Sequence, residues 1–368
     1  ERREGTMKES AYIALQTGHP SLWWGLPGIG KTRHIEAMAT AIKHWLETVI
    51  ASIRDPSDFS GLPFLNDGGV RLAPPQWALN LVNSPRGILF FDELTTAPPA
   101  CQAGLLRVVH DLVVGELPLP KTTRVIAAAN PPEQAAGGFE LAPPMANRFW
   151  HFDVEVNANQ WVSGMLSGFP DPTIRILPDD WKNQVPEQRA LGAAFIRSRP
   201  DMLHVLPKTE AEAGKAWPSH RTWDMLCNMM AAHRAYRGSD ESRIELARGC
   251  VGTGAANEYV SYVENLDLPD PQWLLQNPSK FEVPPRGDQQ FAVLAGVAAA
   301  TVADMTDHNW KAAWEIMAIA AEKGYTDVAA GAVRTLADKF STEMYLPEKE
   351  LEPFIDVLDK AQITGFKN

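Results

Sequence analysis

Along the chain the apolar and polar positions follow two different rhythms, and the change comes near Asn157. From Ser21 to about Asn157, short apolar runs alternate with helical stretches, joined by Gly, Pro, Asp or Asn. The runs Ser21–Trp24, Thr48–Ser52, Gly87–Phe91, Thr123–Ala129 and Phe149–Val156 read as strands, while Lys31–Leu46 and Ala100–Asp111 carry helical patterns. Strands separated by helical crossovers predict a mostly parallel sheet covered on both faces, with ligands at the carboxyl ends of its strands. Two segments stand outside this alternation. Gly61–Leu65 and Val70–Ala73 flank the turn signal Asn66-Asp67-Gly68-Gly69, and Val113–Leu119 folds around Gly115, so each predicts a β-hairpin.

Beyond Asn157 the strand signals stop. Asn157–Leu268 reads as mainly helical, interrupted by a Pro-rich polar stretch around Leu203–Ser219. Within it, Trp223–Arg237 predicts a helix stopped by Gly238. Pro269–Arg286 is rich in Pro and polar residues and predicts a linker or long loop. Phe291–Ala303 is uncharged and apolar, but a bilayer span needs roughly 20 residues, so it reads as a buried helix. Trp310, Trp314, Met317 and Ala321 recur at helical spacing as a core stripe; Gly324 ends that helix and Thr326 is the expected cap of the next, through Phe340. The expected division is an α/β domain with inserted hairpins over 1–157, a helical domain over 158–270 and a further helical region over 271–368.

Composition narrows the class. Hydrophobic residues make up 45% and charged residues 21%, with twelve tryptophans, which is the balance of a folded protein. A formal net charge of −11 disfavours a protein that coats nucleic acid through a basic surface. Cys101, Cys227 and Cys250 match no metal-ligand spacing and read as small buried hydrophobes; so sparse an odd count fits a reducing cytoplasm. From Glu1 onward no signal-peptide pattern is visible, and the cytoplasm is the expected location.

The chemistry sits at the strand ends. Gly25-Leu26-Pro27-Gly28-Ile29-Gly30-Lys31-Thr32 matches G-x-x-x-x-G-K-[ST], a phosphate-binding loop, with Arg33 following it into the helix. Its glycines let backbone N–H groups turn inward around phosphates, and the helix starting near Lys31 adds the positive end of its dipole. The expected ligands are ATP and Mg²⁺: Gly25, Pro27, Gly28, Ile29, Gly30, Lys31, Thr32 and Arg33 form the nucleotide cradle, and Thr32 offers a hydroxyl to the metal. Ile88-Leu89-Phe90-Phe91 then ends in Asp92-Glu93. Adjacent carboxylates at the end of a buried strand are costly unless a cation or water uses them. Asp92 is the expected metal partner, and Glu93 the residue that orients and deprotonates the attacking water. A third strand, Arg124–Ala129, ends in Asn130-Pro131-Pro132; Asn130 either starts a turn or fixes the water near the γ-phosphate.

The order of P-loop, Asp-Glu strand, Asn strand and then Ala146-Asn147-Arg148-Phe149 resembles the AAA+ ATPases, and more narrowly the MoxR type. Asp55-Pro56-Ser57-Asp58-Phe59-Ser60-Gly61 is similar to the start of their helix-2 insert, and Phe91–Pro99 and Ala129–Glu133 are similar to their corresponding stretches. The likeness covers Ser21 to Phe152 and, more loosely, a helical lid to about Arg237. It departs at Thr95-Thr96, where MoxR relatives usually show Asn-Arg. The resemblance implies an α/β P-loop AAA+ core with a mostly parallel sheet, a helical lid over 158–270 and a further helical C-terminal region. It implies that Arg148 is an arginine finger supplied to a neighbouring subunit and that Arg221, in Pro218-Ser219-His220-Arg221-Thr222-Trp223, is the sensor-2 arginine. It also implies a homo-oligomeric ring, a hexamer, whose hairpins face a central channel with Phe64 and Leu65 as contacts, and a von Willebrand factor A-domain protein as a partner.

The expected function is therefore that of an ATP-driven remodelling protein. A DNA-translocating motor of the MCM kind is a different class with related inserts; the acidic charge and the few basic residues on the hairpins count against it. A chelatase-like subunit and an inactive ATP-binding scaffold complete the alternatives, the last opposed by intact Lys31, Asp92, Glu93 and Arg148.

Overall fold

In the computed structural model, which describes residues 9–66, 68–131, 138–341 and 344–360, the apolar runs of the first half form one parallel sheet. Its strands are β1 (Ser21–Trp24), β2 (Trp45–Ile50), β5 (Gly87–Asp92), β8 (Arg124–Ala129) and β9 (Trp150–Asp153), in the order β2-β5-β8-β1-β9. Every pairing in it is parallel. β5 and β8 lie inside the sheet, and Ile88 to Phe91 are fully buried, as a strand covered on both faces requires. Trp23 and Trp24 of β1 sit beside Ala128 and Ala129 of β8, so large rings on one strand face methyl groups on the next. The two hairpins are β3 (Leu62–Asn66) with β4 (Gly69–Ala73), and β6 (Val113–Val114) with β7 (Leu117–Pro118). Asp67 of the first turn lies outside the described residues, as do Pro132 and Glu133.

The helices are α1 (Glu9–Thr17), α2 (Lys31–Ala41), α3 (Ser57–Ser60), α4 (Gln76–Val82), α5 (Pro99–Asp111), α6 (Pro143–Ala146), α7 (Ala158–Ser167), α8 (Val185–Ser198), α9 (Glu210–Ala213) and α10 (His220–Tyr236). They continue with α11 (Asp240–Glu264), α12 (Pro271–Gln276), α13 (Gly287–Ala303), α14 (Asp307–Glu322), α15 (Thr326–Ala337), α16 (Glu348–Leu351) and α17 (Ile355–Lys360). This is the α/β architecture that the pattern predicts, a parallel P-loop sheet followed by helices.

Several boundaries move, each for a local reason. The helix expected over Lys31–Leu46 stops at Ala41, because Lys43 turns into the left-handed region at φ 56°. The second strand therefore starts at Trp45 rather than Thr48 and ends at Ile50, where Ala51–Ile53 forms a 3-10 turn. The last strand is Trp150–Asp153, shorter than the apolar run Phe149–Val156. Pro269–Arg286 is not a free linker: it holds α12, and Leu274, Leu275 and Phe281 are buried. The cap position before α15 is Tyr325; Thr326 is already helical and makes no capping bond, and the helix ends at Ala337 rather than Phe340.

The described residues fall into two compact units, one within Glu1–Pro178, His204–Met229 and Tyr236–Ala256, the other within Asp179–Leu203, Met230–Ala235 and Asn257–Asn368. The first holds the sheet and both hairpins. The second is helical, and its core includes Trp310, Trp314 and Met317, the stripe read from the sequence. All three cysteines are buried free thiols. Among the described residues, no helix is long and apolar enough to cross a membrane.

Candidate active site

The carboxyl ends of β1, β2, β5 and β8 converge on one cluster of side chains. Gly25 N donates to Ala129 O at 3.2 Å, which holds the start of the phosphate loop against the end of β8. Gly28 and Gly30 have φ of 77° and 90°, left-handed values that an L side chain resists, and Leu26, Pro27 and Gly28 form an exposed rim. Lys31, at the first turn of α2, is buried. Its ammonium donates to Gly25 O at 2.7 Å, to Leu26 O at 3.0 Å and to Asn130 Oδ1 at 2.8 Å. Those three bonds use its three protons. Burial pulls this ammonium below its ordinary pKa, and the nearby Asp92 carboxylate pulls the other way.

Thr32 donates its hydroxyl to Asp92 Oδ2 at 2.9 Å, and Asp92 Oδ1 accepts from Glu93 N at 2.9 Å. Glu93 is the left-handed residue at the strand exit, φ 57°, and this backbone turn carries its exposed side chain toward β2. There the hydroxyl of Ser52 donates to Glu93 Oε2. Thr95 donates to Asn130 O at 3.2 Å, so the loops after β5 and β8 are tied together. Lys31, Thr32, Asp92, Glu93 and Asn130, expected from three separate stretches of sequence, thus form one hydrogen-bonded neighbourhood. Arg33 does not join it through its side chain, which is exposed and pairs with Glu36 on the same helix at 3.1 Å.

A Mg²⁺ ion fits the Thr32–Asp92 pair chemically, since both oxygens are hard donors. Among the described residues no group of three or more His, Cys, Asp or Glu is placed to hold a metal, so an ion held by Thr32 and Asp92 would need water and substrate phosphates as its other ligands.

The two arginines lie elsewhere. Arg148 precedes β9, whose first residue, Trp150, donates its N–H to Pro20 O at 2.8 Å beside the start of β1. The phosphate loop leaves the opposite end of β1, so the length of the strand, about 13 Å, separates Arg148's end of the sheet from the Lys31 cluster. Arg148 donates to Pro144 O, and its buried Nε has no hydrogen-bond partner among the described residues. Burial holds its guanidinium below the ordinary value, the like charge of Arg221 adds to that, and Asp111 opposes it. Arg221 is exposed in the first turn of α10. The start of that helix is clamped to the residue before Arg148: Ser219 Oγ donates to Asn147 Oδ1 at 2.7 Å, and Asn147 Nδ2 donates to Trp217 O at 3.3 Å.

Three contributors had no motif to announce them. Ser52 is a polar residue just after a strand that neighbours β5, a position that a topology assigned in advance would have flagged. His34 Nδ1 lies 2.7 Å from Gly30 O and steadies the end of the loop. His151, fully buried on β9, accepts from Trp24 Nε1 at 2.9 Å and faces Ala146 O at 2.9 Å.

No protein-family model and no curated protein sequence matches the chain. Among solved structures it is similar to a protein of Cytophaga hutchinsonii, an inferred ATPase, at 18% identity and a TM-score of 0.46, over 74% of this chain and 88% of that one. It is also similar to a full-length MCM homologue of Methanopyrus kandleri, at 15% identity and a TM-score of 0.34, covering 70% of this chain and 53% of that one. The chain spans about half the length of the MCM homologue. Both likenesses are remote, and what the site can do follows from its own residues.

Proposed function

We propose that the chain is an ATP-hydrolysing AAA+ remodelling protein of the MoxR type, working as a homo-oligomeric ring on a protein partner. The observation that carries the reading is the meeting of Lys31, Thr32, Asp92, Glu93 and Asn130 at one end of the sheet while Arg148 and Arg221 stand together away from it. In this reading the backbone N–H groups of Gly28 to Thr32 and the Lys31 ammonium hold the β and γ phosphates of ATP. A Mg²⁺ ion at Thr32 and Asp92 would neutralise phosphate charge. Asn130 orients water, and the Glu93 carboxylate takes its proton as the oxygen attacks the γ-phosphorus; the bond to the bridging oxygen breaks and ADP leaves. Arg148 cannot serve its own P-loop from the far end of β9, so it serves a neighbour's, and Arg221 goes with it. A hexamer is the ring we favour.

The hairpins suit contact with a protein rather than DNA. Every residue of β3 is exposed, including Phe64 (46%) and Leu65 (85%). Arg71, the basic residue of the hairpin strands, pairs with Glu116 of the second hairpin at 3.8 Å. Such apolar tips offer little to a phosphate backbone. A von Willebrand factor A-domain protein is a partner to seek first, by capture on a trapped ring.

Glu93→Gln provides both the trap and the test. It should keep ATP binding, measured with a fluorescent analogue, and lower turnover by about 10³-fold. Unaltered turnover would remove Glu93 as the base, and strong stimulation of the wild type by DNA would favour the motor reading.

A further inference from the structure

Helix α7 is built against the usual rule for a helix in water. From Val156 through Pro170 there is no Asp, Glu, Lys or Arg. Gly164 is its one buried residue, while Trp161 (59%), Val162 (48%), Met165 (60%) and Leu166 (82%) are exposed. Trp161 with Met165 and Val162 with Leu166 are i,i+4 pairs, so the four form two adjoining rows on one face. Phe169 (63% exposed) folds back at the end of the helix, and its ring lies where any side chain at Gly164 would stand: a Cβ there would come within 2.1 Å of it. The glycine thus lets one more aromatic ring join the exposed face.

With 150–250 Å² per aromatic side chain, these five residues leave about 600 Å² in water, the upper end for the largest apolar patch of a monomer. It is also most of the roughly 800 Å² that one partner contributes to a standard interface, and the absence of charge is what interface centres show. A membrane-surface helix would carry Lys or Arg on its polar side, which α7 lacks.

We propose that this face is covered by a second copy of this chain, as part of the subunit interface of the ring; the inference rests on the ring reading above. The reason lies in where α7 begins. β9 ends beside the phosphate loop: Val154 N donates to Trp24 O at 2.7 Å, and a Cβ on Gly25 would meet Val154 at 3.3 Å. α7 follows within a few residues, whereas Arg148 lies before the opposite end of β9. A copy that brings its Arg148 to this P-loop therefore approaches the end of the sheet from which α7 springs, and it buries the exposed face as it docks. A closed ring joins two different surfaces of each copy. The edge strand β2, at the other side of the sheet, also leaves apolar side chains exposed at Trp45 (52%), Ile50 (41%) and, just beyond it, Ile53 (74%).

The test is sedimentation velocity of the wild type and of Trp161→Glu/Leu166→Glu, each with Mg-ATP and with a slowly hydrolysed analogue. The wild type should assemble. The double variant should stay a monomer with nucleotide affinity within about twofold of wild type and turnover lowered more than about tenfold. A thermal melt checks its folding, and the milder Leu166→Ser should shift the assembly midpoint to higher protein concentration. A double variant that assembles like the wild type overturns the α7 contact and leaves the ring standing. A wild type that remains a monomer with nucleotide overturns the ring reading itself, and flotation of that monomer with lipid vesicles would assign α7 to a membrane.

Discussion

The two ends of the sheet are furnished in opposite ways. At the carboxyl end each charged or polar group of the P-loop cluster has an answering group in the same chain: Lys31 with Asn130, Thr32 with Asp92, Ser52 with Glu93. At the amino end of β9, Arg148 has a buried Nε without a partner among the described residues and Arg221 as a like-charged neighbour. Like charges brought together are costly, and Pro144 O and the Asp111 carboxylate offset only part of that cost unless a further anion is met there. One end thus holds groups that answer one another within the chain, and the other holds the cation that the proposed ring would lend to a neighbouring copy.

The comparison breaks first, and with the largest effect, at Arg148. If that arginine acts on a neighbour, Arg148→Ala should lower turnover by about 10³-fold while its own P-loop still binds ATP. Mixing it with Lys31→Ala subunits should restore activity, because the Lys31→Ala subunit offers an intact Arg148 to an intact P-loop. Steady-state ATPase across mixing ratios, with assembly followed in parallel, makes the measurement. Mixed rings without restored turnover would show that Arg148 does not work across subunits. Arg221→Ala, with a smaller loss, should complement in the same way, given its closeness to Arg148.

How far the sequence carries depends on whether a residue's role is local or topological. The P-loop and Asp92-Glu93 are legible because each is a short string with its own chemistry at the end of an apolar run. The hairpins are legible through glycine-rich turns. Ser52 is not, since its value comes only from β2 lying next to β5, a pairing decided far away in sequence. The start of β2 is misread because Trp45 and Glu47 are on an exposed edge, where the apolar pattern fades and the helix before it looks longer. Asn147 looks like a mere neighbour of Arg148 until α10 folds back onto it. The exposed face of α7 is invisible in sequence because Trp, Val, Met and Leu at helical spacing ordinarily mean core.

The next effect belongs to His151, which stands between the two ends. Its ring accepts from Trp24 Nε1, next to the P-loop, and its Nε2–H donates to Ala146 O, next to Asn147 and Arg148. Full burial pushes its pKa down to about 4 from the ordinary 6.5. The sign follows from which state takes the proton. In the unfolded chain the ring protonates near its ordinary value, so folding loses stability as pH falls from there toward about 4, and gains nothing above it. Between about pH 7 and pH 5 the loss from this one group is about 2 kcal/mol. His151→Asn keeps an acceptor for Trp24 but does not titrate, so urea midpoints should depend less on pH in that variant. Equal pH dependence in the two proteins would mean that other groups govern the acid limb.

The smallest expected effect, and the one that probes how settled the P-loop end is, comes from Ser52. Its hydroxyl bonds to the Glu93 oxygen that would otherwise be open to the attacking water, and that contact restrains the base. Ser52→Ala should therefore raise basal turnover about fivefold, the equivalent of one hydrogen bond of about 1 kcal/mol, with nucleotide affinity unchanged. Single-turnover rates separate this from a change in product release. A fall in turnover would assign Ser52 the opposite part, that of aiming Glu93 at its water. In that case the left-handed turn at Glu93 alone would not suffice to point the carboxylate, and the P-loop end would need its β2 neighbour to work at all.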